Sequence, residues 1–106
     1  MPSPEPGEVY LYDGGMAEKA RPVVVVSRAD DKAPRALCVV APCTTVIWGS
    51  PYEAAIGKPR WMRDHCVVNV QGLQAVRYDQ LGRFLGRLPA PEMEKVRSSL
   101  RYVFEL

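Results

Sequence analysis

The fold is decided by the stretch RPVVVVSRADDKAPRALCVVAPCTT, which begins at Arg21 and ends at Thr45. It holds two continuous apolar runs, residues 23–26 and 37–40, joined by a polar segment. Because the runs are rich in β-branched residues and do not alternate with polar ones, they predict central strands covered on both faces. Arg21 precedes the first run and Thr44 follows the second, so a guanidinium and a hydroxyl are expected at the rim of a rigid sheet. Such a pair is suited to gripping an anion such as a phosphodiester.

The length and composition predict one globular domain. The chain has 106 residues, of which 47% are hydrophobic and 25% charged, ordinary values for a soluble protein. We expect residues 1–106 to form a single domain, with residues 1–6, which include three prolines, as a flexible lead-in. No apolar run approaches a membrane span and the N-terminus does not resemble a signal peptide, so a cytoplasmic location without membrane contact is expected.

The charge and the cysteines narrow the function classes further. The net charge of +2 does not by itself argue for nucleic-acid binding, so any such site must be a local patch. Cys38, Cys43 and Cys66 are odd in number and fit no zinc or redox spacing. We interpret them as small core residues.

The remaining segments predict short strands, one helical turn and one terminal helix. Strands are expected at residues 8–12, 52–56, 66–70, 73–77 and 84–88, with a helical turn at 78–81. A helix opens near Pro91, and Met93, Val96, Leu100 and Val103 form its apolar stripe. These elements predict a mainly β fold, an SH3-like, partly open barrel of six or seven strands with the C-terminal helix packed on it.

The candidate chemistry needs neither metal nor cofactor. A single histidine and no carboxylate cluster give metal-dependent hydrolysis poor support, and no pattern brings Cys43 and His65 together as a thiol nucleophile and its base. RNA carries its own nucleophile, the 2′-hydroxyl, so an enzyme that cuts RNA needs a base, an acid and donors for the phosphorane.

Several residues near the rim could supply these groups. Glu18 or Asp13 could be the base, Arg21 the charge stabiliser and proton donor, and Thr44 or Thr45 a hydroxyl donor. Each has a plainer interpretation: an arginine can pair with a surface carboxylate, a threonine can end a strand, and an aspartate before glycine can form a turn.

The sequence resembles the MazF/PemK family of toxin endoribonucleases over almost its whole length. The resemblance rests on five segments: GEVY at residues 7–10 followed by Asp13, RPVVVVS at 21–27, PCTT at 42–45, GSPYE at 49–53 and GRL at 86–88. The Arg-Pro strand and the Pro-x-Thr-Thr segment, in this order and at this separation, are the most specific part of the match.

The resemblance implies a homodimeric barrel, with the same fold as CcdB-like toxins, that cuts single-stranded RNA at short sequences without a metal. It implies products with 2′,3′-cyclic phosphate and 5′-hydroxyl ends, and a partner antitoxin whose acidic, extended tail covers the RNA groove. Arg21 and Thr44 match the family's catalytic arginine and threonine, and Glu18 falls near a loop glutamate used by some members. Residues 68–72 read VNVQG, without the carboxylate that several members place there, which shifts the role of base toward Glu18.

Further RNA contacts are expected around this site. Trp48, Tyr52 and Trp61 could stack on splayed bases, although packing in the core or at a dimer interface is the competing interpretation. Thr45, Lys58 and Arg60 complete the expected RNA-binding set, with ordinary wet surface as the alternative for the basic residues.

Two other functions stay open on the sequence alone. One is a non-enzymatic toxin like CcdB, which would bind DNA gyrase through the end of the helix, residues 102–106. The other is a catalytically inactive RNA-binding barrel, which the carboxylate missing from residues 68–72 would favour.

Overall fold

The computed structural model describes residues 2–14 and 19–106. They form seven strands, two short 3-10 helices and one α-helix. The strands are β1 (Glu8–Tyr12), β2 (Arg21–Val25), β3 (Leu37–Thr44), β4 (Glu53–Gly57), β5 (Cys66–Asn69), β6 (Gln74–Arg77) and β7 (Leu81–Arg87). The 3-10 helices are Val70–Gly72 and Tyr78–Gln80, and the α-helix, α1, is Ala90–Phe104.

The strands form one antiparallel sheet in the order β4-β5-β3-β2-β1-β7, and β6 pairs with β3 beside this path. The eight-residue β3 is the hub, because its first half pairs with β6, its middle with β2 and its last two residues with β5. Over the described residues the sheet does not close on itself. The predicted partly open barrel of six or seven strands with a terminal helix is confirmed.

The apolar residues of the sheet divide into two cores, one on each face. The helix-side core includes Val9, Val24 and Ala41, and the second core includes Val23 and Val25. Neighbouring valines of β2 therefore point to opposite faces, and Val23, Val24 and Val25 are all at most 2% exposed. This explains why the run does not alternate with polar residues, and the strand order confirms that β2 and β3 are central strands. In the run 37–40 of β3, however, only Cys38 and Val40 are buried and Leu37 is 41% exposed, so this run is not covered on both faces as predicted.

The helix α1 covers the helix-side core. Met93 and Val96 are buried, while Leu100 and Val103 at the same spacing are half-buried, as the apolar stripe predicted. Pro91 lies in the first turn, where its missing N–H leaves no bond unmade. The helix packs mainly on β4 and on the 3-10 helix that follows β5.

Most element bounds agree with the sequence to within one or two residues. The exceptions are β3, which continues beyond the apolar run 37–40 to Thr44, and β7, which begins at Leu81 rather than at residue 84. The start of β7 was not predicted because Gly82 and Arg83 interrupt the apolar pattern there. β7 is the edge strand beside β1, and an edge strand needs no apolar run.

The first residues of the chain contact the β2–β3 turn. The backbone N–H of Ser3 donates to the carboxylate of Asp31 at 2.8 Å, and the Ser3 hydroxyl accepts from the backbone N–H of Asp30 at 3.0 Å. Among the described residues, no helix has the length and apolar character that crossing a bilayer requires.

Candidate active site

Pairing of the two central strands places Arg21 opposite Thr44. In the β2–β3 ladder Val23 pairs with Pro42 and Val24 with Ala41. Continuing this register by two residues puts Arg21, the first residue of β2, across from Thr44, the last residue of β3. Because residues opposite each other in an antiparallel pair project from the same face, both side chains leave the sheet on one side.

Arg21 and Thr44 line one open cavity of about 580 Å³ at this end of the sheet. We call it the Arg21–Thr44 cavity. Its other lining residues are Lys19, Ala20, Pro22, Cys43, Thr45, Val46 and Met62. The structure therefore brings together three of the predicted site residues, Arg21, Thr44 and Thr45.

The cations of this cavity are available to a ligand. Lys19 and Arg21 are both exposed, and the described part of the chain supplies neither with an ion-pair partner. Two positive charges and two hydroxyls that line one cavity form an arrangement suited to a phosphate group.

The hydroxyl of Thr44 is held in place by the loop that follows it. Its oxygen accepts a hydrogen bond from the backbone N–H of Val46 at 3.1 Å. This bond uses a lone pair of Oγ1 and leaves the hydroxyl hydrogen free to donate. Thr44 is half-buried, so its side chain has a fixed position at the edge of the cavity.

The loop at residues 46–50 is fixed by a single carboxylate. Glu53 accepts hydrogen bonds from the backbone N–H groups of Trp48, Gly49 and Ser50 at 3.0, 2.7 and 3.2 Å. The side chain of Trp48 stays 83% exposed on this loop, and Val46 is 60% exposed. An apolar, aromatic tip is thus presented beside the cavity on a backbone that is already ordered.

The two groups considered for a thiol mechanism lie in unlike surroundings. Cys43 is 3% exposed, and burial, reinforced by the nearby Cys66 thiol, raises its pKa above the ordinary value. The side chain of His65 is 73% exposed and lies beside Asp64. The Cys43 thiol therefore stays protonated at neutral pH, and a thiolate nucleophile has no support.

The buried thiols lead to a prediction on reactivity. Cys38, Cys43 and Cys66 are free and buried, so iodoacetamide at pH 7.5 should leave the folded protein unmodified and should label all three after unfolding in guanidinium. Intact-mass spectrometry reads the number of labels. Rapid labelling of Cys43 in the folded state would contradict its assignment as a buried, protonated thiol.

The other predicted RNA-binding residues lie apart from the Arg21–Thr44 cavity. Trp61 is half-buried and packs against the helix-side core. Tyr52 makes an edge-to-face contact with Tyr102 at 5.3 Å between ring centroids, near the end of the chain. Lys58 and Arg60 are exposed in the β4–β5 loop. None of these described residues lines the cavity.

The candidate bases are placed as follows. Glu18 lies outside the described residues. Asp13 is exposed at the end of β1 and does not belong to the described residues that line the cavity. At the position without a carboxylate, the Asn69 side chain accepts from the backbone N–H of Gln71 at 3.0 Å and begins the 3-10 helix.

Gly72 lies close against Pro42, a residue of β3 near the site. A Cβ on Gly72 would lie 2.7 Å from Cγ and 3.0 Å from Cδ of the Pro42 ring. The ring is tied to its own backbone and cannot swing away, so only glycine fits here. Pro42 is two residues before Thr44, which makes Gly72 part of the support of the site.

Gly72→Ala should therefore destabilise the fold by about 1–3 kcal/mol, the usual penalty for forcing extra volume into a packed region. The measurement is the free energy of unfolding in urea. Gly14→Ala is the control, because the nearest described atom to its new Cβ is Tyr12 Cε2 at 3.9 Å. Equal stability of the two variants would contradict the prediction and show that Pro42 moves to accommodate the added methyl group.

Six of the nine lining residues of the cavity are absent from the predicted site, and two of them, Lys19 and Met62, have long side chains. Lys19 has a sequence signal, because it lies two residues before Arg21, the spacing at which an extended chain presents side chains to one side. Met62 has none, since it belongs to the irregular β4–β5 loop and reaches the cavity only through the tertiary fold.

Comparison with known proteins places the chain in a family. Among curated proteins, no sequence matches it. A mycobacterial endoribonuclease solved in complex with its cognate antitoxin is 27% identical, with a TM-score of 0.83 over 98% of this chain and 97% of that one. A second mycobacterial endoribonuclease is 24% identical, with a TM-score of 0.79 over 100% and 95% of the two chains. A chain of a MazE–MazF crystal structure from Deinococcus radiodurans is 22% identical, with a TM-score of 0.75 over 98% of this chain and 97% of that one.

The second mycobacterial structure and the Deinococcus structure are less than 25% identical to this chain, so these two similarities show a shared fold and no more. The family model of PemK-like, MazF-like toxins of type II toxin–antitoxin systems matches residues 5–104, nearly the whole chain. The chain therefore belongs to the PemK-like, MazF-like toxin family of type II toxin–antitoxin systems.

Proposed function

We propose that this toxin is a metal-independent endoribonuclease that cuts single-stranded RNA, including mRNA, at short sequences. The observation that carries the proposal is the shared cavity of Arg21 and Thr44, which combines two cations and two hydroxyls in one place. The structural similarity to a mycobacterial endoribonuclease over 98% of the chain supports the same activity.

The reaction follows from the chemistry of RNA. A base removes the proton of the 2′-hydroxyl, and the 2′-oxygen attacks the adjacent phosphorus to form a phosphorane. The bond from phosphorus to the 5′-oxygen then breaks, and an acid protonates that oxygen. The products are a 2′,3′-cyclic phosphate and a 5′-hydroxyl.

Each site residue has a defined role in this scheme. The Arg21 guanidinium neutralises the non-bridging oxygens of the phosphorane and supplies the proton to the leaving oxygen, and the Thr44 hydroxyl donates a further hydrogen bond. Glu18 is the proposed base, because Asp13 does not line the cavity and residues 68–72 hold no carboxylate.

The substrate strand extends beyond the cavity. Thr45 contacts the backbone next to the scissile phosphate, and Trp48 on its fixed loop stacks on an unpaired base. Lys58 and Arg60 attract the more distant phosphates from their exposed loop. Tyr52 and Trp61 are the least supported members of the set, because both rings pack against protein groups.

The biological context of the family completes the proposal. The toxin acts as a homodimer in the cytoplasm, and an antitoxin with an acidic, extended tail inhibits it by occupying the cationic cavity. The solved complexes of a mycobacterial endoribonuclease with its antitoxin and of MazE with MazF support such a partner.

The test incubates the purified protein with a long, weakly structured RNA in the presence of EDTA and maps the new ends. Discrete cuts with 5′-hydroxyl ends, lost in Arg21→Ala, are the expected result. Tight RNA binding without cutting would indicate an inactive RNA-binding barrel, and intact RNA with inhibited DNA gyrase would indicate a toxin of the CcdB kind.

A further inference from the structure

A second cavity adjoins the Arg21–Thr44 cavity and shares Arg21 with it. It has a volume of about 390 Å³, within the roughly 300–1,000 Å³ of typical ligand pockets. Its lining residues are Tyr12, Gly14, Lys19, Arg21, Val23, Pro42 and Gln74. We call it the Gln74 cavity.

The two cavities are connected through their cations. Lys19 and Arg21 line both of them. A phosphate held at Arg21 would therefore have its attached nucleosides within reach of the Gln74 cavity. This continuity makes the Gln74 cavity a neighbour of the reacting bond.

The walls of the Gln74 cavity suit a flat, polar ring. Its apolar part comes from Val23, which is buried, and the half-buried ring of Pro42. Besides Lys19 and Arg21, its polar side chains are those of Tyr12 and Gln74, and neither is hydrogen-bonded within the described part of the chain. An amide offers a donor and an acceptor side by side, which complements the edge of an unpaired base.

Four strands bring these groups together. Tyr12 ends β1 and pairs with Arg21 of β2, while Gln74 begins β6 and pairs with Val40 of β3. The backbones that carry the hydroxyl and the amide are thus fixed by ladders on opposite sides of the β2–β3 pair. Groups held on strands in this way can discriminate between bases more sharply than groups on mobile loops.

We propose that the Gln74 cavity receives the base of a nucleotide that flanks the scissile phosphate, and that Gln74 and Tyr12 determine which base is accepted. The inference rests on the proposed endoribonuclease function and deepens it. The Gln74 amide hydrogen-bonds the edge of the base, the Tyr12 hydroxyl supplies a second polar contact, and the Pro42 ring lies against one face.

The experiment compares cleavage of a randomised single-stranded RNA pool by the full-length protein and its variants. Gln74→Glu exchanges the amide donor for an acceptor, and Tyr12→Phe removes only the hydroxyl. The readout is the frequency of each base at every position around the mapped 5′-hydroxyl ends, which does not depend on the overall rate. Gln80→Glu is the matched control, because Gln80 lies outside both cavities and its Oε1, which accepts from the Arg77 N–H at 2.9 Å, survives the change.

At one of the two positions that flank the cut, Gln74→Glu should lower the preference for the favoured base about tenfold, the discrimination expected of one well-formed side-chain contact to a base edge. Tyr12→Phe should change the preference at the same position, and Gln80→Glu should leave it unchanged.

Two outcomes would overturn the inference in distinguishable ways. If the wild type cuts RNA and the Gln74 and Tyr12 variants keep its base frequencies at both flanking positions, the base subsite is wrong and the endoribonuclease stands. If the wild type does not cut, or Arg21→Ala cuts equally well, the proposed function fails and the subsite fails with it. Since both side chains border an open cavity, each variant should unfold at the wild-type temperature, which a thermal melt checks.

Discussion

Arg21→Ala should lower the rate of RNA cleavage at least about a hundredfold, the loss expected when one preorganised donor to a transition-state charge is removed. The guanidinium is exposed, has no ion-pair partner in the described part of the chain, and faces the same cavity as Thr44. Its removal leaves Lys19 as the remaining cation of that cavity. The measurement is the single-turnover rate on a short RNA that contains one mapped cut site.

Two further variants separate charge from geometry. Arg21→Lys keeps the charge but not the planar pair of donors, so we expect only partial recovery of the rate. Arg28→Ala removes an exposed arginine beyond the other end of β2 and should leave the rate unchanged. An Arg21→Ala variant within about threefold of the wild-type rate would remove this residue from the mechanism, because that loss is far below one transition-state donor.

Thr44→Val should lower the single-turnover rate between roughly tenfold and a hundredfold, the equivalent of the 1.5–3 kcal/mol of a hydrogen bond to a charged group. Valine keeps the branched shape of the side chain and removes only the hydroxyl. The hydroxyl hydrogen is free in the structure, because the oxygen uses a lone pair to accept from the Val46 N–H.

The loop bond to Val46 is a competing explanation for such a loss, and two controls address it. Thr44→Ser keeps the hydroxyl as donor and acceptor and should recover most of the rate. Glu53→Gln weakens the three backbone contacts of the 46–50 loop without touching the hydroxyl, so it should reduce the rate less than Thr44→Val. Equal rates for the serine and valine variants would contradict a role for the hydroxyl.

The central part of the fold could be predicted because it depends on short-range patterns. Two continuous β-branched runs predicted the central strands β2 and β3, and a stripe at spacings of three and four predicted α1. The three cysteines were correctly assigned to the core. The start of β7 at Leu81 was missed, because an edge strand can carry glycine and arginine without loss of its ladder.

The site could be predicted only in part, for a related reason. Arg21 and Thr44 were expected at the rim, but their alignment depends on the β2–β3 register, which the residues of the long turn between the strands do not specify. The Gln74 cavity was not foreseen at all. It requires β6 to pair with β3 rather than with a strand nearer in sequence, and such non-local pairing leaves no trace in the periodicity of the chain.

The position of β3 has a consequence for how the toxin loses activity on heating. Three different strands share hydrogen bonds with β3, and its last residue, Thr44, pairs with Val67 of β5. Because β3 is hydrogen-bonded to three strands, it cannot detach before the rest of the sheet. Its amides should therefore exchange with solvent deuterium only through global unfolding. Thermal inactivation of the enzyme and melting of the whole barrel should then coincide in a single transition.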